Sequence, residues 1–574
     1  VNNREVASYF DNIADLLEIK GEGIHRVLAY RRAAESIRAL GEDLQALQQA
    51  QKLETIPGVG KAIAAKIEEL LDEGRLEYYD RLTAEIPKSL IEVLHVQDVG
   101  PKKAARFWQE LGITTVEALE EAAVKGELRT LKGMGEKSEA RILENIEALK
   151  RRRTDRYLVG EAWIRAQELI TAMREFPEVA AIEVAGSLRR WRETVGDLDL
   201  VVASNSPSQL IESFSNLRQV GRVLGRGETK CSAELQDGLR VQIWVHPPER
   251  FGAALQYATG SQAHNVRLRE IALDQGLSLS EHGFKGKDGS EVLCAEEQQV
   301  YQTLGMPWIP PALREDQGEI QAALENRLPD LIETEDLLGD LHTHTTWSDG
   351  QNTILEMARA AQALGLSYLG VTDHSRSLGI AGGLSVEELL DQHQAILAAQ
   401  EEVGGGFRIF HGCEVEILAD GKLDYPDELL AELDLVIASL HTSLRQPRQA
   451  VTERMLSAIR NPYVDIIAHP TGRLINARDP ADLDMVAVIE AAADHQVALE
   501  INAHPDRLDL NAGHAKMAAE AGCRLSINTD AHQPSHLELR RFGIGIAQRA
   551  WIEAGHVVNT WSLKELMEWL NRMK

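Results

Sequence analysis

Residues 339–350 read Gly-Asp-Leu-His-Thr-His-Thr-Thr-Trp-Ser-Asp-Gly, and an extended H-x-H within them turns His342 and His344 to the same side of a strand. Downstream, short apolar segments alternate with helical stretches, at 366–371, 407–410, 435–439, 464–468, 497–501 and 524–527. That rhythm predicts a parallel β/α fold over 336–574, a distorted barrel of about 240 residues. Ligand-type residues fall at the C-terminal ends of the strands: His342, His344, Asp349, His374, Glu414, His441, His469, Asp530 and His532. In parallel barrels that end is the catalytic face. Nitrogen and carboxylate ligands without thiolate suit zinc, manganese or iron, and nine such groups can hold two or three ions. Clustered ions in turn suit phosphoester hydrolysis, because one activates water while the others neutralise phosphoryl oxygens and the leaving group. A lone histidine carries no such meaning, so His393, His411, His495, His504 and His514, which fall off this register or on helices, are read as ordinary.

Outward from the barrel, the chain of 574 residues is too long for one core and divides into roughly three to four domains. Its net charge is −28, which excludes a polyanion binder working by global attraction and leaves local contacts as the route to nucleic acid. The charge is uneven: residues 1–160 hold 25 Lys and Arg against 28 Asp and Glu, whereas 13 of the 18 histidines lie after residue 340. Cys231, Cys294, Cys413 and Cys523 are scattered and form no C-x-x-C, as expected in a reducing cytoplasm. The first residues are charged where a signal peptide is apolar, and no run of 18 apolar residues occurs, so a soluble protein without a membrane partner is expected.

Residues 1–150 read as amphipathic helices with glycine-punctuated turns. One pattern recurs three times: Ile56-Pro57-Gly58-Val59-Gly60-Lys61, Val96-Gln97-Asp98-Val99-Gly100-Pro101-Lys102 and Leu131-Lys132-Gly133-Met134-Gly135-Glu136-Lys137. A tight glycine turn before a helix start exposes backbone N–H groups to an anion, and the adjacent lysines add charge. A plain helical hairpin needs the glycine alone; three copies with lysine favour helix-hairpin-helix contacts to the DNA backbone, which hold DNA without reading sequence. From 151 the character changes: Arg151-Arg152-Arg153 precede a helix, a strand at 179–185 runs into Gly186-Ser187, and Asp197-Leu198-Asp199 opens a second strand with both carboxylates on one face. Paired carboxylates there ask for a divalent cation. Residues 311–335 are polar and proline-flanked, as in a linker.

The barrel motifs H-x-H…SDG, TDH, G-x-EV, SLH, AHP and D-A-H resemble the signature of the polymerase and histidinol phosphatase (PHP) domain, and all nine positions where that family places ligands are filled. The first 310 residues resemble a family X DNA polymerase, similar to DNA polymerase beta, and the fusion resembles the bacterial family X enzymes. The resemblance implies helical DNA-end binding domains at 1–85 and 86–150 (the latter a fingers or thumb equivalent), an α+β nucleotidyltransferase palm at 151–250 and a nucleotide- and template-contacting subdomain at 251–315. A linker at 316–335 and the barrel follow. It further implies DNA repair, including base excision: gap filling with deoxynucleoside triphosphates and Mg²⁺ or Mn²⁺ in the palm, and 3′-to-5′ exonuclease or 3′-end phosphoesterase activity with Mn²⁺ or Zn²⁺ in the PHP domain. Gapped, nicked or primer-template DNA is the implied partner, and the protein is expected to be a monomer at the bacterial nucleoid.

Carried over by residue, Gly186, Ser187 and Arg190 match the triphosphate-binding turn, with Gly196 beside it, and Asp197 and Asp199 match the first two catalytic carboxylates. Arg226-Gly227-Glu228-Thr229-Lys230 matches a phosphate-side segment, Tyr257-x-Thr259-Gly260-Ser261 the sugar-facing turn, and Asn265 and Arg269 the nucleotide and template contacts. In the helical region Gly58, Gly60, Gly100, Lys102, Gly133 and Gly135 match DNA contacts. His25, Arg26 and Tyr30 match a phosphate pocket, and Lys66 matches a Schiff-base lysine that removes a 5′-deoxyribose phosphate. Three positions depart. Ala62 replaces a lysine, Ala258 an aromatic, and Gln242 the third catalytic aspartate. Glutamine is neutral and a poor base, so nucleotide binding is expected to survive and polymerisation to weaken by orders of magnitude. Read with a two-residue Asp237-Gly238 turn, the hairpin places Glu234 opposite Val241, facing away from Gln242 and unable to substitute. Two alternatives are a DNA-end scaffold with only the PHP nuclease active, and a small-molecule phosphatase.

Overall fold

The computed structural model describes residues 1, 3–40, 44–94, 96, 99–151 and 156–572; Gln97 and Asp98 of the second hairpin, and Arg152 and Arg153, lie outside them. In the helical region Gly60, Gly100 and Gly135 stand immediately before the helices Lys61–Glu73, Pro101–Leu111 and Glu136–Arg151; Gly60 and Gly100 are extended, and neither supplies a side-chain cap. Gly58 and Gly133 turn the chain at φ of +80° and +81°, a region that other residues enter at a cost. One hydrophobic core runs from Val6 through Ile67 and Phe107 to Ile146. Residues 1–85 and 86–150 therefore pack as one body.

The palm sheet has five strands in the order Ala181–Val184, Asp197–Ala203, Arg240–His246, Lys230–Leu235 and Val220–Arg226. Asp199 pairs with Gln242 across the parallel central ladder, and Asp197 with Arg240. The hairpin register corrects the expectation above. The turn takes three residues, Gln236-Asp237-Gly238, with Gly238 at φ +91° and Leu235 N–H donating to the Leu239 carbonyl. The extra residue shifts every pair by one, so Ser232 faces Gln242 and Glu234 faces Arg240. Glu234 thus shares the face of Gln242. It stands two strands from Asp197 with Arg240 between, and its carboxylate lies 3.8 Å from Arg222.

Residues 251–331 build a smaller core of their own around Phe284, Tyr301 and Ile320. The segment expected as a linker is itself packed: it contains the helix Glu319–Leu324, buries Ile320, Ile332 and the Glu319 carboxylate, and pairs Leu331 with Glu553. In the barrel seven parallel strands run in chain order from Gly339–Thr343 to Leu525–Asn528, and a parallel bridge from Thr343 to Ala531 brings the two ends of the sheet nearly together.

Palm and barrel are continuous. Trp191 stacks on Trp163 at 5.2 Å and meets Phe542 edge-on at 6.1 Å, while a Cβ on Gly545 would come within 2.5 Å of Trp191. Arg473 of the barrel pairs with Glu193 of the palm at 2.7 Å, and Arg549 donates to the Arg190 carbonyl and to Glu315. The apolar interiors of the two parts merge into one cluster.

Candidate functional sites in the palm and the barrel

The palm site grows from the Asp197–Ala203 strand and the turn facing it. Gly186, at φ +60°, lies so near this strand that a Cβ would be 2.4 Å from Asp199 Oδ2, so only glycine brings the turn's backbone against the carboxylate. Gln242 Nε2 donates to Asp197 Oδ2 at 3.1 Å, and Trp244 Nε1 to Asp199 Oδ1 at 3.4 Å. Burial, together with the charge of Asp197, pushes the Asp199 carboxyl up to about 7. A cation between the two would relieve that repulsion. A cavity of about 730 Å³ holds Gly186, Ser187, Arg190, Gly196, Asp197, Asp199, Tyr257, Gly260, Asn265 and Arg269. Lys230 stands outside this cavity, its ammonium 3.6 Å over the Trp244 ring. Asn265 donates to the Tyr257 carbonyl at 2.8 Å and accepts from Gln256. Three charged residues were not found from sequence: Arg156, Arg192 and Glu35 also line the cavity. Glu35 reaches in from the helical region to pair with Arg192 at 2.5 Å, a long-range contact with no local signal.

The barrel site gathers all nine expected residues. His344, Asp349, His374 and His532 each offer a ligand atom within 4.8 Å of the others, as do His342, His344 and Asp530, and again His374, Glu414 and His441. His469 completes the set, with Nε2 2.9 Å from Glu414 Oε1. The donors fit divalent ions. His342 Nε2 and His344 Nε2 face each other at 3.2 Å, and His374 Nδ1 lies 2.9 Å from Glu414 Oε2 although neither atom makes a hydrogen bond. Such convergence of lone pairs is stable around a cation. Burial, reinforced by the neighbouring His374, lowers His344 to about 4, which keeps it neutral and free to bind metal. His469 and Asp530 adopt φ of +29° and +55°, backbone strain of the kind found at functional sites.

An outer ring orients these groups, and it went unread in the sequence. Glu500 accepts from His342 Nδ1 at 2.8 Å and from the His469 N–H; Glu416 accepts from His441 Nδ1 at 2.9 Å; Asn502 donates to Asp530. A second carboxylate on a ligating imidazole fixes its tautomer and raises its basicity.

In the helical region Lys66 Nζ lies 5.1 Å over the Tyr78 ring, Arg26 donates to the Tyr78 hydroxyl at 2.9 Å, and Tyr30 stacks on the same ring at 6.2 Å. Tyr78, absent from the sequence reading, is the hub of this pocket. Burial lowers the Lys66 ammonium, Arg26 and Arg81 add to the effect, and Glu69 opposes it. His25 is exposed at the edge.

Across its whole length this chain is 38% identical to the DNA polymerase/3′-5′ exonuclease PolX of Bacillus subtilis, covering all of both proteins. The chain belongs to the PolX family of DNA polymerases. Within the chain, family models match as a helix-hairpin-helix domain (1–76), a SAM-like helix-hairpin-helix tandem (90–148), the DNA polymerase beta thumb (254–315) and a PHP domain (340–504). The thumb description thus falls on the segment expected to contact nucleotide and template, and not on 86–150. Rat DNA polymerase lambda is 25% identical over 55% of this chain and 58% of its own. A probable phosphatase of Caldanaerobacter subterraneus is 34% identical over 34% of this chain and 76% of its own. PolX membership brings DNA and deoxynucleoside triphosphate binding and the use of divalent metal. Among the described residues no helix is long and apolar enough to cross a membrane.

Proposed function

We propose that this protein hydrolyses DNA 3′ ends at the barrel cluster and fills short gaps only weakly at the palm. The observation that carries the reading is the contrast between the two sites. All nine barrel donors converge with their outer carboxylates in place, whereas at the palm an amide replaces a base and donates to Asp197 at 3.1 Å. His342, His344, Asp349, His374, Glu414, His441, His469, Asp530 and His532 hold two or three ions, manganese or zinc, which supply Lewis acidity toward phosphoryl oxygens. Glu500 and Glu416 hold the imidazoles His342 and His441 in their ligating tautomers. In the palm Asp197 and Asp199 hold magnesium or manganese, and Gly186, Ser187, Arg190, Gly196, Tyr257, Gly260, Asn265 and Arg269 seat the triphosphate, with Lys230 on the phosphate side.

Gln242 keeps Asp197 oriented but accepts no proton from a primer hydroxyl. The glycine turns at Gly58–Gly60, Gly100–Lys102 and Gly133–Gly135 grip the DNA backbone. Lys66, lowered by its surroundings and flanked by His25, Arg26 and Tyr30, acts as amine nucleophile on a 5′-deoxyribose phosphate. Substrates are gapped, nicked or primer-template DNA, met by a monomer.

A 5′-labelled primer on a one-nucleotide gap, with Mn²⁺ and the matching triphosphate, tests the assignment. Wild type is expected to shorten the primer and His344→Ala to leave it intact and unextended. Efficient filling by His344→Ala would overturn the weak-polymerase reading; undiminished shortening would overturn the assignment of the nuclease.

A further inference from the structure

Between the palm and the barrel lies a cleft of about 1300 Å³. One wall is the helix Val159–Arg174, whose residues from 160 onward run along the cleft for on the order of 20 Å; the other is Pro505, Leu539 and Phe542 of the barrel. The walls are mostly apolar. Ile164 is 56% exposed there, and Trp163 presents its ring beneath the Arg541 guanidinium at 5.9 Å. At the barrel end the cleft closes on His504 and His536, two imidazoles 5.7 Å apart, and His536 Nδ1 accepts from the His532 N–H at 3.5 Å. Just behind them Arg507 places Nε 3.4 Å from Asp530 Oδ2, while its Nη1 is buried without a hydrogen-bond partner. The cleft thus ends on residues that adjoin the metal-ligand cluster, His536 beside the His532 N–H and, behind it, Arg507 beside Asp530, and these offer donors that the cluster itself does not use.

We propose that this cleft receives unpaired nucleotides at the 3′ end of a DNA strand and leads them to the barrel cluster, with His504, His536 and Arg507 contacting the phosphates that arrive; the inference rests on the nuclease reading above. Flat apolar walls with an aromatic ring and a guanidinium suit stacked bases of any sequence. The charged lining is mixed, Arg165 pairing with Glu168 at 3.4 Å and Arg541 with Glu538 at 2.7 Å, so the cleft offers no continuous basic track for a duplex with its two rows of phosphates. A frayed tail passes with its bases inward and its single backbone toward solvent.

The test has two arms. In the first, His344→Ala protein is irradiated with a duplex whose unpaired 3′ tail ends in 5-iodouracil, and the cross-linked peptide is mapped; the expected peptide contains residues 160–175. In the second, digestion of the same tail is compared with hydrolysis of a small chromogenic phosphodiester that needs no cleft. For Ile164→Glu and Trp163→Ala the KM for the tail is expected to rise about ten-fold while kcat on the small ester stays at the wild-type value, and Trp163→Phe is expected to recover most of the loss. Cross-links mapping elsewhere, or tail digestion unchanged in Ile164→Glu, would assign the cleft to another class of partner and overturn the proposal. A wild type that hydrolyses neither substrate instead removes the nuclease reading, and the groove then stands or falls on the cross-link.

Discussion

Gln242 is the side chain on which the proposed balance between the two sites turns. Its amide donates to Asp197 but, unlike a carboxylate, adds no negative charge to help hold a cation and, on the reading proposed above, no base for the proton of the primer hydroxyl. Restoring the charge with Gln242→Asp in a His344→Ala background is expected to raise the rate of single-nucleotide gap filling by about 10²–10⁴, measured by primer extension in Mn²⁺. Gly186 is the opposite case, where any side chain is too much. Gly186→Ala drives a methyl into Asp199, and equilibrium titration should find triphosphate binding abolished while digestion of 3′ ends continues. The expected residues that the structure gathers at the two candidate sites were legible because each belongs to a short motif with its own chemistry. Glu500, Glu416 and Tyr78 were not, since a carboxylate inside a strand or a tyrosine on a helix acquires its role only from what the fold places opposite.

At the scale of elements, the hairpin 230–246 carries the clearest lesson. Strand identity and alternation were readable, but register depends on whether the turn takes two residues or three, and Asp-Gly permits both when the preceding residue joins the turn. One residue of difference moved Glu234 to the other face. The helix-hairpin-helix turns were readable because glycine at a fixed offset before a helix has few other uses. Lys102 follows one of them, and Lys102→Ala is expected to weaken DNA binding alike for all sequences and to lower the salt dependence of log K by about one, which a salt titration by anisotropy would detect. Farther along, Glu297 ties the region 251–331 to the palm through Arg189 at 2.7 Å and pairs with Arg314 of its own region at 2.5 Å. Burial would raise its carboxyl, but the two guanidinium groups hold it well below the usual carboxylate range. The stability that comes with a depressed folded value is present above the unfolded pKa, about 4.3, and is lost as pH falls below it. Glu297→Gln should therefore show a flatter loss of unfolding free energy between about pH 5 and pH 2 than wild type.

Over the whole molecule the sequence divided cleanly into its parts but said nothing of how they meet. Composition marked 311–335 as polar and proline-flanked, and from a single chain such a segment reads as a tether. Its apolar residues Leu313, Ile320, Leu324, Leu328, Leu331 and Ile332 are interspersed with charges and interrupted by Pro329, and nothing within the segment says what they pack against. The interface itself depends on pairs such as Glu193 with Arg473, 280 residues apart, beyond the reach of any periodicity. Glu193→Ala leaves Arg473 buried with the Arg507 and Leu508 carbonyls and the nearby charge of Asp509, and is expected to cost about 3 kcal/mol in denaturant unfolding followed by near-ultraviolet circular dichroism.

A β/α barrel standing alone would keep its whole outer surface in water. Here the barrel's outer surface at Phe542, Gly545 and Arg549 has become interior. The two halves have thereby ceased to be interchangeable cassettes: a barrel suited to standing alone would bring a water-adapted face to a palm that needs an apolar one, and the palm cut away from its barrel would present Trp191 to solvent. Chimaeras joined in the 311–335 segment should aggregate unless the helix Arg540–Arg549 travels with the palm it has grown to fit.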